Sequence, residues 1–394
     1  MKILMIAPEP FFEARGTPFS VLGRLRALSH LGHEVDLLTY HVGENVVIPG
    51  VSISRTLYIP FIQDIPIGPS WKKLFLDVLL FAKAFRFLLR GRYDLLHTHE
   101  EASFFGILLA KRFGVRHLYD MHSSLPEQLS NFQYTRFPSL IRLFEWLERR
   151  AIDSSDGIIT ICSALDEHVK RINGNVPRVI IENVMGEADH ETVLEEDVRK
   201  FQAAHSLGGK SVILYTGTFE PYQGVDLLVA SAEHVTRKRD DVMFVLVGGT
   251  RKQVDHYGKL ANERGLSSRF CLMERRPMHE MPRFIRSATI LVSPRIDGVN
   301  TPSKLYSYLR SGKPIVATNI LAHTQVLTAD VAILTEPSPA SLADGILRLL
   351  EDQQLSTEIS LRARQVAQEK YGTQDFIERT QWMLDRLLPG GGRG

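Results

Sequence analysis

The chain has 394 residues, 44% of them hydrophobic and 23% charged, proportions of a folded protein and not of a disordered one. At roughly 100–200 residues per domain, that length points to two domains. Lys and Arg total 47 against 45 Asp and Glu, a net charge of +2, which excludes the basic footprint of a nucleic-acid binder.

The two cysteines, Cys162 and Cys271, lie far apart without a CxxC, so neither a disulfide framework nor a cysteine zinc site is expected. The apolar run near the N-terminus is far too short for a secretory signal, and no uncharged run nears the ~20 residues of a membrane span. A cytoplasmic location is the expectation.

In chain order, residues 2–7 are an apolar strand, 20–31 a helical stretch, and 34–40 a second strand. Residues 51–57 alternate apolar and polar like an edge strand. Strands are predicted at 93–97, 116–121, 157–161 and 178–181, separated by helical patterns at 101–113, 139–152 and 164–172. Such alternation predicts a parallel sheet covered on both faces. The pattern breaks after residue 182. Acidic residues cluster from Glu187 to Asp197, and Gly208-Gly209 closes the stretch. Residues 1–185 are therefore read as one Rossmann-like domain and 186–209 as a linker.

Alternation then restarts, with strands at 212–215, 242–248, 270–273, 290–293, 314–318 and 331–334. Helices are predicted at 225–235, 278–287, 303–311, 340–351 and 356–370, completing a second domain over 210–372. A last helix covers 373–388, and 389–394 is a Gly-rich tail. The expected fold class is α/β, two doubly wound Rossmann-like domains facing across a cleft. Chemistry should then sit in the loops at the carboxyl ends of the strands.

The loop at 8–18 carries Arg15 and Gly16 before a helix. Gly16 lets backbone approach a ligand, the helix N-terminus favours an anion, and Arg15 suits a phosphate. One glycine does not make the GxGxxG of a dinucleotide binder. His97-Thr98-His99-Glu100-Glu101 and Asp120-Met121-His122-Ser123-Ser124 both follow predicted strands. His97 and His99 would share a face only if the strand continued through both. We expect His97 to be buried and hydrogen-bonded, and His122 to be functional. In the second domain, Tyr215-Thr216-Gly217-Thr218 leads through Gln223-Gly224 into a helix, again an anion cradle. Further on, a strand ends at Ser293, and Thr301 or Ser303 is placed to cap a new helix. Arg295 and Lys304 flank its amides, a pattern suited to a pyrophosphate.

Taken in order, these segments resemble the family-4 glycosyltransferases of the GT-B fold along essentially the whole chain. The resemblance rests on the glycine loop after the first strand, Leu31-Gly32-His33-Glu34-Val35, and the run from Ser155 to Ser163. It rests equally on the Gly217 and Gln223-Gly224-Val225-Asp226 segments, Val245-Leu246-Val247-Gly248-Gly249, and Lys304-Leu305-Tyr306-Ser307-Tyr308-Leu309 with the stretch from Gly312 to Thr318. The family implies sugar transfer from a nucleotide-diphosphate donor with the anomeric configuration retained. It places the acceptor on the N-terminal domain and the donor on the C-terminal one, and returns the last helix to the first domain. It implies no metal or other cofactor, because amides, helix N-termini and basic side chains neutralise the departing diphosphate. Attack is on the front face, with the donor phosphate taking the acceptor proton.

By the same resemblance Gly16 and Gly217 approach the diphosphate, His122 contacts the donor sugar, and Arg275 lies where the base is held. Amides around Asn300, Thr301, Ser303 and Lys304 meet the sugar and diphosphate. An Arg and a Lys usual in the family are replaced by Thr218 and Gln223, and its paired glutamates by Val299 and Ser307. Thr218, Gln223 and Ser307 thus occupy donor-binding places with altered chemistry. Asp297 is expected to stand in for the first glutamate, and Arg15, Arg295 and Lys304 for the missing cations. His122, Asp297, Lys304 and Arg295 are the candidate catalytic residues.

Residues 71–92 hold six cationic residues against Asp77 alone. At 100° per residue, Lys72, Lys83, Arg86 and Arg90 form one stripe on an otherwise apolar helix. Two readings stay open. One is a core helix with a solvated seam. The other is peripheral docking on the inner face of the membrane, helped by Trp71, Phe61, Ile62, Ile65 and Ile67. The expected function is retaining transfer to a glycan or lipid-linked acceptor in envelope polysaccharide or glycoconjugate synthesis. The alternative is a weak or inactive relative that binds a sugar nucleotide or glycan.

Overall fold

The computed structural model describes the chain except residues 14–15, 64, 66–69, 127–137, 183–192 and 389–394. The chain divides into two compact units, one made of 1–186 with 373–394 and the other of 187–372.

The first unit opens with β1 (Lys2–Ile6), α1 (Gly16–His30), β2 (Glu34–Thr39), β3 (Val51–Arg55) and α2 (Trp71–Arg90). It continues with β4 (Leu95–His99), α3 (Ala102–Phe113), β5 (Arg116–Met121), α4 (Pro138–Ser154), β6 (Gly157–Thr160), α5 (Ser163–Ile172) and β7 (Arg178–Ile180). The seven strands pair in parallel in the order β3-β2-β1-β4-β5-β6-β7. Ile3, Leu4, Met5 and Ile6 are all fully buried, as a central strand covered by helices on both faces requires. The alternating 51–57 segment is indeed the edge strand. Strand order reverses between β1 and β4, the switch point where ligands of doubly wound sheets bind.

The second unit begins with α6 (Glu195–Ala204), inside the stretch expected to be a linker. Its one buried residue is Val198, too little periodicity to read as a helix, yet its acidic first turn suits a helix N-terminus. Phe201 packs edge-on against Phe284, ring centres 4.6 Å apart. The unit then runs β8 (Ser211–Thr216), α7 (Val225–Thr236), β9 (Val242–Gly249), α8 (Arg251–Glu263), β10 (Phe270–Glu274), α9 (Met281–Ser287) and β11 (Ile290–Ser293). It closes with α10 (Lys304–Ser311), β12 (Ile315–Thr318), α11 (Leu321–Thr324), β13 (Ile333–Thr335), α12 (Pro339–Glu351) and α13 (Gln353–Lys370). Its parallel sheet has the order β10-β9-β8-β11-β12-β13. The sequence reading lacks α8, which is mostly polar; Thr250 caps it in a reciprocal box with Gln253.

The final helix, α14 (Thr373–Leu387), belongs to the first unit. Phe376 lies under the Arg24 guanidinium of α1 at 4.7 Å. Arg379 donates to the Ile180 carbonyl at 2.9 Å and pairs with Glu182 at 3.0 Å. Helix α14 thus packs over the β7 edge of the first sheet.

Candidate functional site

In the second unit, β8 delivers the chain to Gly217, whose φ of 136° is open to glycine. A Cβ there would meet the Tyr215 hydroxyl at 3.1 Å and the Lys304 ammonium at 3.5 Å. Behind it Gly248 is pressed so close that a Cβ would lie 2.2 Å from the Gly217 carbonyl oxygen. Tyr215 Oη donates to the Thr218 carbonyl at 2.7 Å and lies 3.4 Å from Gln223 Oε1. Tyr308 Oη accepts from the Thr216 amide at 3.0 Å. The glycine loop is therefore fixed from beneath by two tyrosines.

Lys304, first residue of α10, is half-buried. Its ammonium lies 3.9 Å from the centre of the Tyr215 ring and donates to Gln223 Oε1 at 3.5 Å. Among the described residues no carboxylate pairs with it. Burial, with Arg295 nearby, holds its pKa well below the usual lysine range. Arg295 is committed to its own loop. Its Nε donates to the Asp297 carbonyl at 2.6 Å, its Nη1 to that of Asn300 at 2.9 Å, and it lies over the Tyr222 ring at 5.1 Å. Asp297 caps the Gly298 amide at 2.6 Å and is exposed. The expected side-chain caps of α10 are not made. Among the described residues Ser303 bonds no helix amide, and Thr301 Oγ1 is buried without a partner. Arg295 therefore shapes the loop, and the start of α10 presents amides together with Lys304. His323 braces the same loop from below. It contacts Ser293 Oγ at 2.9 Å through Nε2 and the Thr318 carbonyl at 2.8 Å through Nδ1, and burial pushes its pKa down to about 4.

In the first unit, β4 continues through His99, so His97 and His99 do share a face, their rings stacked at 4.8 Å. The ring of His122, just past β5, stacks on His99 at 5.2 Å. All three surround Asp120, which is fully buried and takes the Arg24 Nε at 2.7 Å. Burial alone would raise the Asp120 pKa, but charge attraction, that of the Arg24 guanidinium first, holds it well below the usual carboxylate range. Burial lowers His97, lowers His99 further, and takes His122 to about 4. The ligand atoms of His97, His99 and Asp120 lie within 4.8 Å of one another, a spacing a metal could bridge. With Arg24 already neutralising Asp120, however, a dication there would bring two uncompensated positive charges into a buried space. The cluster reads as neutral imidazoles around one ion pair.

Beside it, Glu100 adopts a φ of 48°, uncommon for a residue with a side chain. Ser123 Oγ donates to its carboxyl oxygens at 3.1 and 3.0 Å, and burial with neighbouring Glu101 raises its pKa to about 8. Asp77, taking the Tyr40 hydroxyl at 2.6 Å, is likewise pushed to about 8.

Within the second unit the structure brings Gly217, Thr218, Gln223, Arg295, Asn300 and Lys304 together. Arg275 is exposed at the end of β10, its amide bonded to the Gly249 carbonyl at 3.1 Å, and Ser307 is half-buried on α10. Arg15 lies outside the described residues, and Gly16 opens α1, four residues before the predicted helix start. Ile62 and Ile65 are core residues and not part of an exposed patch, while Phe61 is exposed; Ile67 is outside the described residues. Sequence reasoning did not find Arg24. Nothing local marks it, since its partner is 96 residues away.

Residues 16–183 match the family model described as a glycosyl transferase 4-like domain, and residues 197–366 the one described as glycosyl transferases group 1. The alpha-D-kanosaminyltransferase of Streptomyces kanamyceticus is 23% identical over 68% of this chain and 70% of its own. A phosphatidyl-myo-inositol mannosyltransferase of Propionibacterium freudenreichii subsp. shermanii is 22% identical over 89% and 87%. Among solved structures, Anabaena HepE in complex with UDP-glucose matches with a TM-score of 0.77 at 17% identity, covering 98% of this chain and 100% of that one. WaaG, a glycosyltransferase involved in lipopolysaccharide biosynthesis, matches at 0.73 and 15% identity over 99% and 100%. With two consecutive glycosyltransferase domains spanning most of its length, on the two parallel sheets of the GT-B fold, the chain belongs to the GT4-type glycosyltransferases.

Proposed function

We propose that this enzyme moves a sugar, with retention, from a nucleotide-diphosphate donor to a glycan or lipid-linked acceptor in envelope polysaccharide or glycoconjugate synthesis. The observation that carries the reading is Lys304, a half-buried ammonium beside a glycine loop and an uncapped helix start, with no carboxylate to pair with among the described residues. Such a charge is costly until an anion arrives. A diphosphate supplies that anion, and as the glycosidic bond breaks its growing charge meets Lys304 and the amides at Gly217 and the start of α10. In this reading those groups neutralise the leaving group without a metal, Arg295 keeps the loop in shape, and His122 meets the donor sugar. Arg275 would hold the base. Release of nucleoside diphosphate from UDP-, GDP- and ADP-linked hexoses, with and without acceptor, tests it.

Thr218, Gln223, Val299 and Ser307 stand where the family resemblance implies two cations and two carboxylates, which favours a second reading. In that one the protein binds a sugar nucleotide or glycan with little or no turnover. Donor binding without any diphosphate release would select it.

The acceptor side of the proposal extends to a membrane surface. Among the described residues no helix is long and apolar enough to cross a membrane. Yet α2 exposes Trp71, Leu74, Val78 and Leu89 by 60–69%, and at 100° per residue these share one face. Lys73 pairs with Glu101 and Lys83 reaches the Arg55 carbonyl, whereas Arg86 and Arg90 are exposed beside the apolar face. Apolar burial with flanking cations suits anionic lipid on the cytoplasmic leaflet. Co-sedimentation that is indifferent to anionic lipid content would remove this extension.

A further inference from the structure

We infer that Asp120, anchored by Arg24, is a positioning residue that fixes which nitrogen of His122 carries the proton, making Nδ1 the lone-pair nitrogen of that ring. The inference rests on the reading in which His122 meets the donor sugar, and it defines what His122 can recognise there: a sugar hydroxyl that donates.

The geometry turns on one shared proton. His122 Nε2 and His99 Nδ1 are 2.9 Å apart, so one of the two must carry the hydrogen and the other must accept it. Asp120 Oδ1 lies 3.3 Å from His122 Nε2, while the nearest Asp120 oxygen to His99 Nδ1 is at 3.9 Å. An ionised carboxylate attracts an N–H and repels a lone pair, so the closer nitrogen takes the proton. His122 is then Nε2–H and His99 accepts. The other Asp120 oxygen is already occupied by Arg24 Nε at 2.7 Å and faces His97 Nε2 at 3.3 Å. Arg24 is itself held by the Ile181 carbonyl at 3.1 Å and by the Phe376 ring. The carboxylate can neither rotate nor protonate without breaking the buried ion pair. The order of control runs from α14 and α1, through Arg24 and Asp120, to the His122 ring.

Asp120→Asn inverts the bias while keeping the shape. Its single oxygen must face Arg24, which turns the amide NH2 toward His122 Nε2 and demands a lone pair there. The proton then moves to His99 Nδ1, and His122 becomes Nδ1–H. The test is long-range proton–nitrogen NMR on protein labelled with 15N-histidine, the His122 signals being identified by their loss in His122→Gln. The expected result is Nε2–H in the native protein, Nδ1–H in Asp120→Asn, and at least a tenfold loss in donor kcat/KM in that variant. His99→Phe keeps the ring stack and leaves Asp120 in place, so His122 should remain Nε2–H. Native His122 protonated on Nδ1, an unchanged tautomer in Asp120→Asn, or a flip in His99→Phe overturns the inference. The native and His99→Phe spectra decide the matter even if Asp120→Asn does not fold. Absence of donor turnover in native protein would instead remove the functional reading and leave the tautomer result standing.

Discussion

Replacing Lys304 by Met separates the role of its charge from the role of its stem. The thioether keeps the contact with Tyr215, while the ammonium 3.9 Å above that ring is lost. A hydrogen bond to a charged group contributes about 1.5–3 kcal/mol, which corresponds to a loss of about 10- to 150-fold in kcat/KM for the donor. Because charge grows on the leaving diphosphate, kcat should carry a good share of it. Stability should move the other way. The ammonium has no carboxylate partner among the described residues, and removing an uncompensated buried charge is neutral or stabilising. The assay pairs steady-state kinetics with thermal melts. A donor kcat/KM within threefold of native, or a loss that merely follows a falling Tm, refutes the reasoning. The depressed Lys304 pKa adds a second signature. A bound diphosphate raises it again, so at a pH above the depressed value binding takes up protons, and calorimetry there in two buffers of different ionisation enthalpy should detect an uptake that Lys304→Met abolishes.

His323 titrates near 4 in the folded protein against 6.5 unfolded. Its contribution is therefore complete above 6.5 and lost as pH falls to 4, on the order of 3 kcal/mol, which urea melts across that range would show. Glu100 has the opposite sign. With a folded pKa of about 8 against 4.5, it weakens the fold as pH rises through that interval, so Glu100→Gln should raise the Tm at pH 8 and change it little at pH 5. Gly248→Ala would drive a Cβ to 2.2 Å from the Gly217 carbonyl oxygen at a φ of 126°. It should cost about 3 kcal/mol or more in chemical denaturation, and weaken nucleotide binding through the displaced Gly217 loop. Leu74→Glu on the exposed face of α2 should lower co-sedimentation with anionic vesicles at least severalfold and leave soluble-donor hydrolysis unchanged, whereas undiminished lipid binding would count against the membrane extension.

Strand-to-helix alternation was legible because buried parallel strands are continuous apolar runs, as at Ile3 to Ile6 and Ile315 to Ala317. The polar helices were not, since α6 buries only Val198, and α8 only Tyr257 and Ala261. Thr250 and Gln253 were the readable signal for α8, a capping box standing just after a strand. The cradle around Gly217 and Lys304 follows from local order along the chain. What a sequence cannot express is how each cation is used. Arg295 turns to its own loop carbonyls while Lys304 does not, a difference set by the Tyr222 and Tyr215 rings on which they rest. Likewise His97 and His99 could be placed on one face only once β4 was seen to extend two residues past the predicted end. Their common partner Asp120 is on β5, and its counter-ion Arg24 on a helix that precedes both.

The most direct measurement is proton NMR of a reaction started with an α-linked UDP-, GDP- or ADP-hexose and acceptor, following nucleoside diphosphate release and the anomeric signal of the product together. Diphosphate release coupled to an α-linked product is the expected result, strongly reduced in Lys304→Met. A β-linked product would contradict retention, and a full panel of donors left intact would contradict transfer itself.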